Sequence, residues 1–432
     1  MHALAMELNK TLEGTVAADF MSEAGKRIYF PKGIVAQSAE AKSKATLYNA
    51  TIGMATKDGQ PMYLSDIYNQ FVPGSFKPAQ LFSYAPGGGD PTLRDLWKAE
   101  MLKKNPSLEG KHISRPIITG GLTHSLSLIS LLFSGEGDTL VIPDLAWDNY
   151  ELIYTALNNS VIKTFKTYDA ADAFNVAGMV EAIRSVKNKK VRILLNFPNN
   201  PTGYTPSKTE MKMIVDALKG LADDGYKLLV ISDDAYFGLF YEPETAKESL
   251  FAALCDVHPN ILAVKGDAAT KEAMVWGFRV AFVTFGCKGM TDAQYDALDK
   301  KMLGMIRATV SSCDHPGQTL LIHAMQSDSY QKDKDMVFAE MGIRYKTLKE
   351  TLRQYAGKYD LLKPYPFNSG YFMAFSCKGS AEALRQHLLN DYHIGCINIA
   401  DKTLRLAYCS VPKEQISGLV RLVYQAAGDI WN

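Results

Sequence analysis

The chain has 432 residues, 47% hydrophobic and 22% charged, which is ordinary globular composition and excludes a disordered, collagenous or coiled-coil protein. At about 150 residues per domain, this length accommodates two or three domains, or one large α/β unit with a smaller companion. Lys and Arg total 47 against 46 Asp and Glu, a formal charge of +1, so no whole-chain electrostatic attraction recruits nucleic acid as a main partner.

In chain order, the start Met-His-Ala-Leu-Ala-Met-Glu-Leu-Asn-Lys lacks the basic segment and apolar run of a secretory signal. No apolar stretch approaches the roughly 20 residues that cross a bilayer. The six cysteines, Cys255, Cys287, Cys313, Cys377, Cys396 and Cys409, are scattered, with no CxxC pair and no Cys/His cluster at metal-ligand spacing. A reducing, cytoplasmic setting without membrane or metal is the expectation.

From about residue 114 to 286, short β-branched apolar runs alternate with longer helical patterns. Pro116–Thr119, Thr139–Ile142, Val161–Phe165, Arg192–Phe197, Lys227–Ile231, Ile261–Val264 and Arg279–Phe285 read as seven strands, with crossover helices such as Asn175–Val186 and Ser207–Ala222 between them. This alternation predicts an α/β fold with a mostly parallel seven-stranded sheet and helices on both faces. The last strand follows the sixth without a helical connection, which allows it to run antiparallel. Asp292–Ile306 reads as a long helix leaving this unit, its Asp favouring the N-terminal end. Beyond it, Lys334–Ala356 and Ala381–Leu389 read as helices and Tyr371–Phe375 and Leu404–Tyr408 as strands. A large α/β domain over 65–310 and a smaller α+β domain built from both chain ends, 1–64 and 311–432, is the expected organisation.

In open sheets of this kind, ligands sit beyond the carboxyl ends of the strands. Four loop positions there hold polar groups: Asn199-Asn200-Pro201-Thr202-Gly203, Asp233-Asp234-Ala235-Tyr236, Thr270-Lys271 followed by Arg279, and Thr119-Gly120-Gly121-Leu122-Thr123. Each has a bland reading. The first is a Pro/Gly turn, the second a helix cap and the third a solvated charge. The fourth is a Gly-rich turn that does not fit G-x-G-x-x-G, although free N–H groups at a strand-to-helix turn favour an anion.

Taken together, Asn-Pro-Thr-Gly, Asp-x-Ala-Tyr, Lys-x7-Arg and the C-terminal Arg405 occur in the order of the pyridoxal-phosphate aminotransferases with the aspartate aminotransferase fold. The chain resembles that family (class I/II, fold type I) from about Asn49 to Tyr408. The resemblance implies that Lys271 is the lysine that holds pyridoxal 5'-phosphate and shuttles the substrate's α-proton. A Lys partly desolvated near positive charge suits that task. By the same match, Asp233 keeps the pyridine nitrogen protonated, Asn200 and Tyr236 face the phenolic oxygen, and Trp147 stacks on the ring. Asp234 matches no required position and reads as structural. For the phosphate, the resemblance assigns Gly121, Leu122, Thr123, Thr270 and Arg279, with Tyr84 arriving from the neighbouring subunit of a homodimer. The chain departs from the family at Ala268, where a phosphate-binding Ser is frequent, and at Leu122, where Gly is common. Both departures leave backbone donors in place.

For the substrate, Arg405 matches the arginine that grips the α-carboxylate, with Asn200 assisting. Gly53 resembles the glycine lying over the substrate, although an aromatic residue common two places later is Ala55 here. Arg307 resembles the arginine that binds a dicarboxylic side chain across the dimer, and it also reads as a last-turn cation complementing the helix dipole. The implied reaction is transfer of the amino group of an L-amino acid, aspartate or glutamate foremost, to a 2-oxo acid such as 2-oxoglutarate by a ping-pong route. Aromatic or broad specificity, and elimination or decarboxylation on the same cofactor, stay open. A transcription-regulator sensor is disfavoured because the first fifty residues show no helix-turn-helix pattern, and a Rossmann dehydrogenase because no G-x-G-x-x-G follows the first strand.

Overall fold

The computed structural model describes residues 1–31 and 33–431. The central sheet has seven strands: β1 (Ile117–Thr119), β2 (Thr139–Pro143), β3 (Val161–Phe165), β4 (Lys190–Asn196), β5 (Lys227–Asp233), β6 (Ile261–Ala268) and β7 (Ala281–Gly286), in the order β1-β7-β6-β5-β4-β2-β3. Pairs β2–β3, β2–β4, β4–β5 and β5–β6 are parallel, whereas β7 runs antiparallel to both β6 and β1. The runs Ile193-Leu194-Leu195 and Val230-Ile231 are buried, because helices cover both faces and each side of a central strand meets core.

Helix α1 (Leu122–Phe133) follows β1 directly. Helix α2 (Lys208–Asp223) begins at a capping box in which the Ser207 side chain accepts from the Glu210 N–H and Glu210 accepts from the Ser207 N–H. The long helix α3 (Asp292–Thr309) is capped by Thr291 with Gln294, so Asp292 takes the first turn behind the cap. Among the described residues, no helix is long and apolar enough to cross a membrane.

The second unit is a four-stranded antiparallel sheet of β8 (Leu362–Pro364), β9 (Phe372–Cys377), β10 (Ile397–Ala400) and β11 (Thr403–Ala407), ordered β8-β9-β11-β10. Tyr48–Asn49 pairs in parallel with Ile394–Gly395 as a separate two-stranded sheet, which ties the N-terminal segment to this unit. Two helices outside the sequence expectations complete the frame, Pro91–Lys104 and Lys413–Trp431. The helix expected from Lys334 begins earlier, as α4 (Tyr330–Arg353). Its Val337 and Met341 join the core of the large sheet, while Tyr345, Leu348 and Leu352 join the core of the small one.

Strand register places the chemistry. Asn196 pairs with Asp233, and Asp233 with Gly266, so the carboxyl ends of β4, β5 and β6 lie side by side. Because β7 is antiparallel, its beginning lies where its neighbours end: Ala281 pairs with both Ala268 and Thr119. That reversal carries Arg279 to the same edge as the turn that opens α1.

Candidate active site

A cavity of about 280 Å³ opens at this edge, with walls from both units. One end is built for an anion. Gly121, at φ +90°, is the N-cap of α1, and a Cβ there would collide with the Arg279 guanidinium. Only glycine permits both the left-handed turn and the close approach. Leu122 and Thr123 line the cavity at the start of the helix, where the first-turn N–H groups have no intrahelical acceptor. Arg279 is itself held at φ +56° and donates through Nη1 to the Trp276 carbonyl at 3.0 Å. The turn is braced from behind. The Gly120 N–H donates to His124 Nδ1 at 3.0 Å, so the imidazole proton lies on Nε2, which faces Thr309 Oγ1 at 3.0 Å. Burial lowers the pKa of His124 and favours this neutral form.

The middle of the cavity holds an amine and an acid. Asp233, at the end of β5, is 3% exposed. Its Oδ2 accepts from the Tyr150 hydroxyl at 2.6 Å, and its Oδ1 from the Ala235 N–H at 3.1 Å. Asn196 Nδ2 donates to the Asp233 carbonyl at 2.8 Å. Burial pushes the Asp233 carboxyl up, while the Tyr150 and Ala235 hydrogen bonds and the Lys271 charge pull it back. Lys271 projects from the single turn Ala269–Glu272, with Nζ 4.7 Å from the Tyr236 ring centroid. Burial, aided by the Arg279 charge, lowers its amine from 10.5 to about 8, against the opposing pull of Asp233.

The far end offers a second cation. Arg405 on β11 is 2% exposed. Its Nη1 donates to Asn200 Oδ1 at 2.9 Å, its Nη2 to the Thr51 carbonyl at 2.8 Å, and its guanidinium carbon lies 4.3 Å from the Phe372 ring centroid. Arg405 Nε and Trp276 Nε1 are buried donors without a partner among the described residues. Unpaired buried donors are costly, and at the rim of this cavity they await an anionic or carbonyl acceptor. Gly53 closes the roof, where a Cβ would press to 2.8 Å from the Phe372 ring. Together these groups fit a flat, anionic, aldehyde-bearing cofactor with a carboxylate beside it.

A family model described as aminotransferase class I and II matches residues 75–423. The chain belongs to this aminotransferase family. Members of the family generally depend on pyridoxal phosphate. Curated relatives include a probable aspartate aminotransferase of Methanocaldococcus jannaschii, 26% identical over 174 residues that cover 40% of this chain and 43% of that protein. Another is an aspartate aminotransferase of Sulfolobus acidocaldarius, 22% identical over 55% of this chain and 56% of that protein. The chain thus spans about half the length of the curated relatives it matches. Among solved structures, an aminotransferase from Anaerococcus prevotii shares the fold with a TM-score of 0.81, at 22% identity over 94% of this chain and 99% of that one.

Of the residues singled out from the sequence of this family member, the cavity gathers Gly53, Leu122, Thr123, Trp147, Asn200, Asp233, Tyr236, Thr270, Lys271, Arg279 and Arg405. Gly121 stands directly behind them as the helix cap. Tyr84 and Arg307 lie outside. Tyr84 is 90% exposed, and Arg307 is exposed on α3, where Nη1 donates to Ser311 Oγ. Asp234 does not line the cavity and takes hydrogen bonds from Ser249 Oγ and Lys265 Nζ. Ala268 is the buried N-cap of the Lys271 turn and offers no hydroxyl. Sequence reasoning missed Tyr150, Asn196, Trp276 and Phe372, all of which line the cavity. Tyr150 and Asn196 carried a signal, since one shares a loop with Trp147 and the other ends a strand beside Asp233. Trp276 and Phe372 read as core aromatics.

Proposed function

We propose that the chain is a cytoplasmic, homodimeric aminotransferase that moves the amino group of an L-amino acid to a 2-oxo acid by a ping-pong route, with aspartate or glutamate favoured. The observation that carries this reading is a single cavity holding a low-pKa lysine, a buried carboxylate and an anion-binding helix start, with a second, partly unpaired arginine opposite. Bound pyridoxal phosphate supplies an electron-withdrawing ring next to the substrate's α-carbon. Lys271 would hold its aldehyde and Asp233 its ring nitrogen. Trp147 would hold its face, and Gly121, Leu122, Thr123, Thr270 and Arg279 its phosphate. The partner subunit's Tyr84 would reach that phosphate as well.

The chain's own residues then divide the work. Arg405 orients the substrate by its α-carboxylate, which a planar fork grips in two places. Asn200 already gives its Oδ1 to Arg405, so its amide N–H₂ is free to donate towards the phenolic oxygen. Burial raises the Tyr236 hydroxyl well above its ordinary pKa, so it stays protonated and serves as a second donor. With substrate in place, the Lys271 amine takes the α-proton and returns it.

Support for a dimer comes from one exposed stretch. Tyr63, Tyr68, Phe71, Val72, Phe82 and Tyr84 are each more than half exposed, an apolar face that a second copy would cover. Tyr84 and Arg307 belong to segments joined by His315 Nδ1 and the Ser83 carbonyl at 2.8 Å. We also propose the division into 65–310 and the two chain ends, with α4 as the strut shared by both cores.

The preference for a dicarboxylic substrate rests on the partner subunit's Arg307. The cavity's own cations, Lys271, Arg279 and Arg405, are committed, and its remaining walls include Ile34, Trp147 and Phe372. That apolar lining favours aromatic or broad specificity as the second reading. A panel of amino donors tested against 2-oxoglutarate, with the native chain and Arg307→Ala, separates them. Selective loss of aspartate and glutamate turnover is expected in the variant, and equal loss for every donor would remove the distal site. Stoichiometric release of ammonia or carbon dioxide without an acceptor would instead indicate a lyase or decarboxylase. Arg405→Lys should raise KM for every donor by about 10²-fold, because a point charge replaces a bidentate fork. Steady-state kinetics check this.

The Lys271 amine sets a pH dependence. Only the neutral amine attacks an aldehyde, and burial favours the neutral form. Loading of the cofactor-free protein with pyridoxal phosphate should therefore accelerate as pH rises through about 8 and level off above it. An ordinary lysine would give acceleration continuing towards about pH 10.4. Stopped-flow absorbance between pH 6 and 10 measures the midpoint.

A further inference from the structure

Directly behind the cavity lies a buried charge cluster that the reaction does not use. Glu272, the residue after Lys271, is 5% exposed. Lys104 Nζ donates to its Oε1 at 2.8 Å and its Oε2 at 2.6 Å, and Lys334 Nζ donates to Oε1 at 2.7 Å. Lys334 also reaches Glu100 at 3.3 Å. Lys104 ends the helix Pro91–Lys104, where a cation complements the dipole, and Lys334 lies near the start of α4. Two helices remote in sequence thus converge on one carboxylate.

Stability alone is a poor reason for this arrangement, since buried ion pairs are often no better than apolar packing of the same volume. What they give is orientation. The turn Ala269–Glu272 is four residues long, and its N-cap, Ala268, makes no side-chain capping bond. A single helical turn does not hold itself. Among the described residues, Glu272 is the one side chain of this turn that makes hydrogen bonds. The same turn carries Thr270 and Lys271 into the cavity.

We propose that Glu272 is a positioning residue, whose clamp between Lys104 and Lys334 fixes the turn that aims Lys271 and Thr270 at the cofactor. The inference rests on the reading of Lys271 given above. A second cavity of about 370 Å³ borders Lys104, Glu272 and Lys334, which leaves Lys104 room to swing away when its partner is lost. The clamp is therefore open to test without collapse of the fold.

The test compares the native chain with Glu272→Gln and with Glu272→Gln/Lys104→Gln, which removes the acid together with one of its cations. The readouts are the dissociation constant for pyridoxal phosphate by absorbance, borohydride trapping of the label at Lys271 by peptide mass, and the thermal midpoint of the cofactor-free protein. Glu272→Gln is expected to weaken cofactor binding by at least about tenfold, in line with the cost of small misplacements of a reacting group. The double variant is expected to regain the thermal midpoint and keep the weak binding, because charge balance returns and the tether does not. Binding that recovers with the midpoint, or a Glu272→Gln chain that binds as the native one does, overturns the proposal. Absence of label at Lys271 in the native chain would overturn the assignment of the lysine itself, and the clamp with it.

Discussion

Lys271→Ala is expected to lower kcat by at least about 10⁴-fold for every amino donor, since in the proposed function one side chain would both hold the cofactor and move the proton. The fold should survive. Lys271 Nζ makes no hydrogen bond among the described residues and lies against the Tyr236 ring, and burial already works against its charge, so its removal relieves a desolvation cost and leaves no hydrogen-bond partner stranded. A thermal midpoint equal to or above that of the native chain is the accompanying expectation. Lys271→Arg keeps the charge and loses the titratable amine, so it should be as inactive as the alanine variant. Single-turnover measurement with the best donor separates the chemical step from binding. Activity within tenfold of native in either variant would rule out this lysine as the reacting group.

Much of this site was readable in the chain because of where parallel strands end. Ile193–Leu195 and Leu228–Ile231, inside the expected strands Arg192–Phe197 and Lys227–Ile231, are unbroken apolar runs because β4 and β5 are covered on both faces. Just beyond those expected strands stand Asn199-Asn200 and Ser232-Asp233, and Asn200 and Asp233 fall where the fold puts ligands. Helix α2 was expected over Ser207–Ala222 from its pattern, and in the structure the Ser207–Glu210 capping box closes its start without tertiary help. No helix was expected in the first 44 residues, although His2, Thr15 and Ser22 cap short helices there. These helices are also held by distant partners, such as the bond from Arg27 Nε to the Ala156 carbonyl and the pairing of Gln37 with the backbone of Asn398. Trp276 and Phe372 escaped for a different reason. An aromatic residue facing a cavity and one filling a core look alike in sequence, and here only geometry distinguishes the unpaired indole N–H and the ring under Arg405. Tyr84 and Arg307 stand exposed in the single chain, where residues proposed to act across a dimer interface would be expected.

The second large effect is expected at Asp233. Asp233→Asn keeps the shape and removes the charge. The asparagine Oδ1 can keep the Ala235 N–H, and the Tyr150 hydroxyl can turn to accept from the new N–H₂, so both neighbours stay satisfied. With packing conserved, a fall in kcat reports the missing charge, and about 10³-fold is expected from loss of a buried, preorganised carboxylate. Tyr150 provides a graded control. Its hydrogen bond to Asp233 stabilises the ionised form and lowers the carboxyl pKa, so Tyr150→Phe should raise that pKa further. The sign follows from which form works: the carboxylate is needed, so the low-pH limb of the kcat profile moves to higher pH in Tyr150→Phe, and activity at neutral pH falls by about tenfold, the worth of one charge-assisted hydrogen bond. Asp233→Asn, having no carboxyl to titrate, should lose that limb altogether. Profiles recorded between pH 5 and 9 distinguish these outcomes. An Asp233→Asn enzyme within tenfold of native, or a Tyr150→Phe limb displaced to lower pH, would show that the acid at the end of β5 serves the fold and not the cofactor ring.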